Sequence, residues 1–276
     1  MLSSAPARPL SAAAIEVAQS CLERLGGADA LADDGVIHGI RITAKRLRAA
    51  WHLVSDQAGK ARAKERRRVL SAMAAKLSGP RDLAVLARLT RRLAVSQTDD
   101  QTAAALARMV ARVAQRQTTA EQAVPHPAGH LEEIRGILAG EIAAWQALAQ
   151  GIPRRRAVRR QLSRSRRLAR RDARKASRSP DADLWHDWRK KANRLRYQRE
   201  FVAMAEGRQP GKFDARLRRL GKRLGKRHDL TNLSVLADTL VAAGDLSAAD
   251  HGLVREAIAA VESGLIRKCR RLGKRC

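Results

Sequence analysis

Aromatic side chains are scarce in this chain, with four Trp, one Tyr and two Phe among 276 residues. Proteins that hold single-stranded nucleic acid stack bases on such rings, so a chain this poor in them is badly equipped to read bases. Strand-forming aromatics are thin while Ala, Leu and Arg dominate, which favours helix over sheet. Cysteine is limited to Cys21, Cys269 and Cys276, an odd number without a CxxC spacing, which argues against a disulfide framework and a zinc cluster. That usage suits a reducing cytoplasm. No uncharged stretch reaches the length of a membrane span, and the opening MLSSAPARPLSAAAIEVA lacks the basic start and apolar run of a secretory signal. A cytoplasmic protein without a membrane span is therefore expected.

Carboxylates are the other shortage. There are 27 Asp and Glu against 56 Lys and Arg, a formal charge of +29. Solubility needs far less, and so much like charge opposes compaction. A polyanionic partner is the simplest reason to carry it. The excess is uneven: residues 1–148 hold 21 basic and 14 acidic side chains (+7), the remainder 35 and 13 (+22).

Apolar spacing and Gly/Pro punctuation predict helices at 11–26, 34–56, 60–78, 81–94, 99–123 and 129–150, then at 154–178, 182–206, 211–226, 229–243 and 246–273. The stretch 154–178 packs 13 Arg and Lys around one Asp172, with only a thin apolar row through Val158, Leu162, Ala169 and Ala176. Alone at low salt such a helix would repel itself, and a bound polyanion or condensed counterions would relieve it.

Self-comparison gives more. The segment IHGIRITAKRLRAAWHLV (37–54) returns 148 residues later as WHDWRKKANRLRYQREFV, matching His38 to His186, Arg41 to Arg189, and Arg46 and Arg48 to Arg194 and Arg196. A second pair, LSGPRDLAVL (77–86) and LGKRHDLTNL (224–233), superimposes Asp82 on Asp229. Two motifs in the same order at almost the same offset indicate a duplicated helical unit. The expected fold is all-α, built as two antiparallel helical bundles, 1–150 and 151–276, related by an internal pseudo-two-fold duplication around a basic groove or channel.

At 100° per residue, His38, Arg41, Lys45, Arg48 and His52 fall within about an 80° arc, while Ile40, Leu47, Trp51 and Val54 lie opposite. The repeat sets His186, Arg189, Arg196 and Tyr197 on one face, with Lys190 and Arg194 beside it. A charged face opposite an apolar one is what any surface helix shows. Here, however, neither ridge is interrupted by a carboxylate over its first three turns, and the ridge occurs twice. A further ridge, Lys212, Arg216, Arg219 and Arg223, follows helical spacing.

These residues resemble the CHAD family, named for conserved histidines on an α-helical domain. Its signature H-x-x-R-x-x-x-[RK]-R-x-R is met by His38, Arg41, Lys45, Arg46 and Arg48. The second copy is met by His186, Arg189, Arg194, Arg196 and Tyr197, with Asn193 where a basic residue is usual. The family's Gly-x-x-[N/H]-Asp element looks like Gly225 to Asp229, and Gly79 to Asp82 resembles its partner. The resemblance implies two pseudo-symmetric helical bundles with a basic channel for inorganic polyphosphate and an association with polyphosphate granules. The candidate polyphosphate ligands are His38, Arg41, Lys45, Arg46, Arg48, His186, Arg189, Lys190, Arg194, Arg196, Arg216, Arg219 and Arg223. Nucleic acid, held through its phosphates alone, is the runner-up partner.

No catalysis, cofactor or metal is expected. Family members are often fused to a triphosphate-hydrolysing domain marked by an E-x-E-x-K strand, and no such motif occurs. Asp82 and Asp229 are isolated and read as first-turn residues favouring a helix N-terminus or pairing with a nearby Arg. His126 and His130 have a metal-like spacing in a Pro-rich connector but lack a third ligand.

Overall fold

The computed structural model describes residues 9–27, 30–77, 80–123, 130–149 and 155–274. Among the described residues the chain forms ten α-helices, one 3-10 turn and no strand. In order they are α1 (Leu10–Glu23), the turn Ala30–Ala32, α2 (Asp34–Leu53), α3 (Lys60–Lys76), α4 (Pro80–Val95), α5 (Asp100–Ala123), α6 (Leu131–Ala149), α7 (Arg155–Ser177), α8 (Ala182–Ala205), α9 (Lys212–Ala242) and α10 (Ala248–Gly273). No helix among them is long and apolar enough to cross a membrane.

Three apolar cores organise these helices. The first gathers α1, α2, α3 and α6 around Trp51, Trp145, Leu47 and Ile40, and Phe201 of α8 reaches into it. The second joins α4 and α5 to the C-terminal part of α9 and the N-terminal part of α10 through Leu86, Met109, Leu233 and Val254. The third joins α7 and α8 to the N-terminal part of α9 and the end of α10 through Ala169, Trp188, Leu220 and Cys269. The middle core thus draws on both sequence halves. Ion pairs cross the same seam, from Arg108 to Asp250 and from Arg116 to Asp245, each at 2.9 Å.

Helix α7 forms as the thin apolar row requires. Val158, Ala169 and Ala176 are buried, and the helix packs on α8. Its one acid, Asp172, is buried beside Arg171. The helix rests on that packing, since its arginines add repulsion rather than support.

One prediction fails in α9. The sequence pattern predicts separate helices over 211–226 and 229–243. They are one continuous helix of 31 residues. Gly225 is a poor helix former but costs only about 1 kcal/mol, and Leu224, Leu230 and Leu233 on either side of it are buried in two different cores. No proline stands at the position equivalent to Pro80 to remove a backbone donor. In consequence Asp229 lies in mid-helix rather than in a first turn, while Asp82 occupies the third position of α4. Ser78 and Gly79, at the start of the first-half element, lie outside the described residues.

Candidate functional site

The two ridge helices start alike. Asp33 caps α2 by accepting from the Gly35 amide at 2.6 Å, and Asp181 caps α8 by accepting from the Asp183 amide at 2.8 Å. These caps are 148 residues apart and each stands five residues before its histidine. Side-chain acceptors at the N-cap fix where a helix begins, so the caps set both ridges in the same register.

Helices α2 and α8 then pack on one another, and the ridges meet. Lys45 of α2 lies among Arg41 and Arg48 of its own helix and Arg189 and Arg196 of α8. Its ammonium is pushed down to about 8, first by loss of surrounding water and then by those four guanidiniums, although its side chain still reaches solvent. Arg48 is half-buried and held below the usual arginine range by desolvation. Arg194 is pushed down to about 10 by burial and then by Arg67 and Arg48. A solvated surface face would show neither effect. The ridges therefore form a crowded cationic cluster shared by the two helices.

Several cations in it are partly committed. Arg41 donates to the Leu77 carbonyl at 3.0 Å, satisfying a backbone acceptor just past the end of α3. Arg46 and Arg196 face Glu200 at 3.5 and 3.6 Å, and the Arg196 guanidinium also sits 4.1 Å over the Tyr197 ring. Tyr197 is buried, not on the open face.

The two signature histidines occupy different settings. His38 is exposed near the start of α2. His186 is half-buried, with its ring 4.8 Å from that of His228 on α9. Burial, then Lys190 and Arg189, lower its pKa. His228 is pushed down to about 4 by burial, Arg189, His186, Arg227 and Lys190. Both rings are thus neutral at pH 7, and His228 is a member of the cluster that sequence spacing missed.

Other candidates need revision. The second ridge is expected to lack a carboxylate, yet Lys190 pairs with Asp187 at 3.5 Å, one turn away on the exposed side. Arg219 is exposed on α9, and Arg223 lies beside the buried Cys269 of α10, so these two extend the basic surface rather than the cluster. Arg216 is half-buried on the same helix. Arg227, within the Gly225 to Asp229 element, is buried, pairs with Glu262 at 3.0 Å and stands over Trp185 at 4.5 Å, which makes it a packing residue. Asn193, the departure from the signature, lies against Gly221 of α9, where a Cβ would sit 2.6 Å from its Oδ1. That close approach leaves little room between α8 and α9 for a longer side chain.

Two residues outside the signature belong to the cluster. Arg67 of α3 bonds the His52 ring, with Nη1 2.8 Å from Nε2, and both stand next to Arg48 and Arg194. His52 is visible on the ridge from spacing alone. Arg67 carries no such signal, because it reaches the site only through the packing of α3 on α2.

Beneath α2, Trp51 and Trp145 donate to Glu141 Oε2 at 2.7 and 3.2 Å, and Arg66 Nε donates to Oε1 at 2.7 Å. This buried network pins the apolar side of α2 and so aims its ridge. No group of three or more His, Cys, Asp or Glu able to hold a metal occurs among the described residues. His126 lies outside the described residues, and His130 is 3.9 Å from Glu133. Cys21 and Cys269 are buried and free.

A family model described as the CHAD domain matches residues 16–262, from within α1 to within α10. Among solved structures, the crystal structure of the CHAD domain from the plant Ricinus communis is similar at a TM-score of 0.69 and 20% identity, over 99% of this chain and 95% of that one. PptA from Streptomyces chartreusis is similar at a TM-score of 0.62 and 19% identity, over 97% and 98% of the two chains. No curated protein matches. With the signature residues of both ridges inside the matched span and the same all-helical fold in both neighbours, the chain belongs to the CHAD domain family.

Proposed function

We propose that the protein binds inorganic polyphosphate in a basic groove along the α2–α8 contact, without catalysing a reaction on it. The reading rests above all on Lys45, which stands among four guanidiniums drawn from both sequence halves and is pushed down to about 8 by loss of surrounding water and then by those charges. Five positive side chains at one place favour an anion of high charge density. Guanidinium forks add bidentate contacts to phosphoryl oxygens, and one long polymer engages neighbouring cations at high effective concentration.

Family membership is consistent with polyphosphate as the ligand. The aromatics favour it over single-stranded nucleic acid. All four Trp, Phe201 and Tyr197 are buried, and Phe213 is flanked by the guanidiniums of Arg166 and Arg199 at 4.9 and 4.7 Å. None is left open for a base. Duplex DNA is the second reading, favoured by the exposed arginines of α7, including Arg155, Arg159, Arg160, Arg164 and Arg167.

The groove also fits a duplicated chain. Arg41 and Arg189, and Arg48 and Arg196, are equivalent pairs, and all four stand around Lys45, as expected near a pseudo-two-fold axis. On this reading 1–150 and 151–276 are units of duplication whose helices share a core, and the protein can ride on polyphosphate granules.

A competition between long polyphosphate, short polyphosphate and duplex DNA at physiological salt tests the proposal. Long polyphosphate should displace both rivals, and log affinity should fall steeply with log salt, by close to one counterion per phosphate engaged. Preference for DNA, or affinity indifferent to salt, overturns it.

A further inference from the structure

The 148-residue offset that superimposes Arg46 on Arg194 and Arg48 on Arg196 also superimposes His52 on Glu200. Equivalent pairs of arginines, one from each ridge helix, therefore meet two different residues. At one corner of the α2–α8 contact, Arg46 and Arg196 share the Glu200 carboxylate. At the other, Arg48 and Arg194 meet His52, and Arg67 of α3 comes in as a third guanidinium. No carboxylate among the described residues pairs with Arg48, Arg67 or Arg194.

His52 cannot act as the missing anion. Its ring is neutral, because burial and then Arg194, Arg67, Arg48 and Lys191 push it down to about 2. It is also held in place, since its carbonyl accepts from Gln161 Nε2 of α7 at 2.9 Å and from the Ser55 hydroxyl at 3.2 Å. Arg67 is steadied by donating its Nε to the Ala63 carbonyl at 2.9 Å. Three guanidiniums are thus brought together by three different helices around a neutral ring. Like charges in a half-buried place repel strongly, and the twin corner carries the internal carboxylate that this one lacks.

We propose that the Arg48, Arg67 and Arg194 corner is a discrete site for one phosphoryl group, which takes the place that Glu200 fills at the opposite corner. The inference rests on the polyphosphate reading and deepens it by giving the groove a direction. A tetrahedral phosphate offers several oxygens to three planar forks that arrive from different helices, a match a single carboxylate makes less well. The Glu200 corner, where one carboxylate already offsets part of the charge of two guanidiniums, is the weaker end. A chain too short to span the groove therefore settles at the His52 corner, and a longer one extends from it along Lys45.

The test uses the full chain with arginine side chains labelled with nitrogen-15, titrated with inorganic tripolyphosphate, alongside calorimetry with long-chain polyphosphate. The side-chain resonances of Arg48, Arg67 and Arg194 should shift at lower ligand concentration than those of Arg46 and Arg196. His52→Glu, which copies Glu200 into the corner, should weaken tripolyphosphate binding about tenfold or more, the size of a lost charge-assisted contact. Arg67→Gln, on a half-exposed side chain, provides a second variant should His52→Glu fold poorly. If long chains bind but tripolyphosphate shifts both corners equally, or if a folded variant binds it as well as the parent does, this inference falls and the polyphosphate reading stands. If neither ligand binds, both fall.

Discussion

Helices α2 and α8 carry one motif in two surroundings. Helix α2 packs its apolar side on α1, α3 and, through Trp51, the Glu141 network, which leaves its opposite side for the ridge. Helix α8 touches α1, α2, α7 and α9, and Trp185, Trp188, Tyr197, Gln198 and Phe201 are all buried on it. Its ridge can survive only where it faces α2 or α9. The differences between the copies follow from this. His38 is open while His186 packs on His228; Lys45 faces solvent while its counterpart Asn193 is pressed against Gly221; His52 meets arginines that lack a carboxylate while Glu200 pairs with both of its own. The two copies of the motif share one charge pattern in the sequence, and their settings differ with the neighbours each one meets.

The contrast between the two helices is tested hardest at Lys45. Lys45→Glu places a carboxylate among four guanidiniums, and polyphosphate affinity should drop about 100-fold, equivalent to about 2.7 kcal/mol. The free protein should become more stable, with Tm rising by about 2 °C as repulsion is relieved. Calorimetric titration and thermal unfolding of the same preparation check both signs. A drop in Tm together with lost binding would instead make Lys45 a structural residue.

A smaller effect concerns pH at the same residue. Bound phosphate favours the ammonium and raises its pKa from about 8. Its contribution to affinity is then complete below about pH 8 and is lost as pH climbs through the bound-state value. Affinity measured between about pH 7 and 9.5 should decline roughly fivefold, and Lys45→Arg, which stays charged, should flatten the decline. Asn193, the counterpart of Lys45 on α8, is uncharged and adds no such proton linkage at its own position.

The smallest expected effect separates the two signature histidines. The pKa of His186 is lowered in the free protein, so a polyanion beside it promotes proton uptake, and affinity should strengthen as pH falls through the histidine range. His186→Gln should remove about twofold of that gain. His38→Gln tests whether the exposed copy shares in it. A pH profile unchanged in the double Gln variant assigns both rings to packing or neutral hydrogen bonding.

Much of the fold is legible in the sequence because its signals are local. Pro80, the Gly26-Gly27 pair and the Pro125 to Gly129 connector mark helix ends, and apolar periodicity fills the intervals, so nine of the ten helices among the described residues match their predicted segments within a few residues. Helix α9 is the exception, because burial of Leu224 and Leu230 on either side of Gly225 carries one helix through the expected gap between 226 and 229. The ridges are legible for the same local reason, that side chains three and four apart share a face. Arg67, His228 and the Glu200 pairing are not, because each depends on which helix lies alongside.

The sequence by itself determined that the protein is helical, strongly basic and built on a repeated motif, since propensity, net charge and periodicity are properties of the chain alone. Only the tertiary structure decided that the two ridges meet along the α2–α8 contact. It also decided that α4 and α5 share a core with α9 and α10, and that one corner of the cationic cluster holds a carboxylate while the other does not. Those outcomes depend on contacts between residues far apart in the chain, where burial and neighbouring charge, rather than residue type, set what each side chain can do.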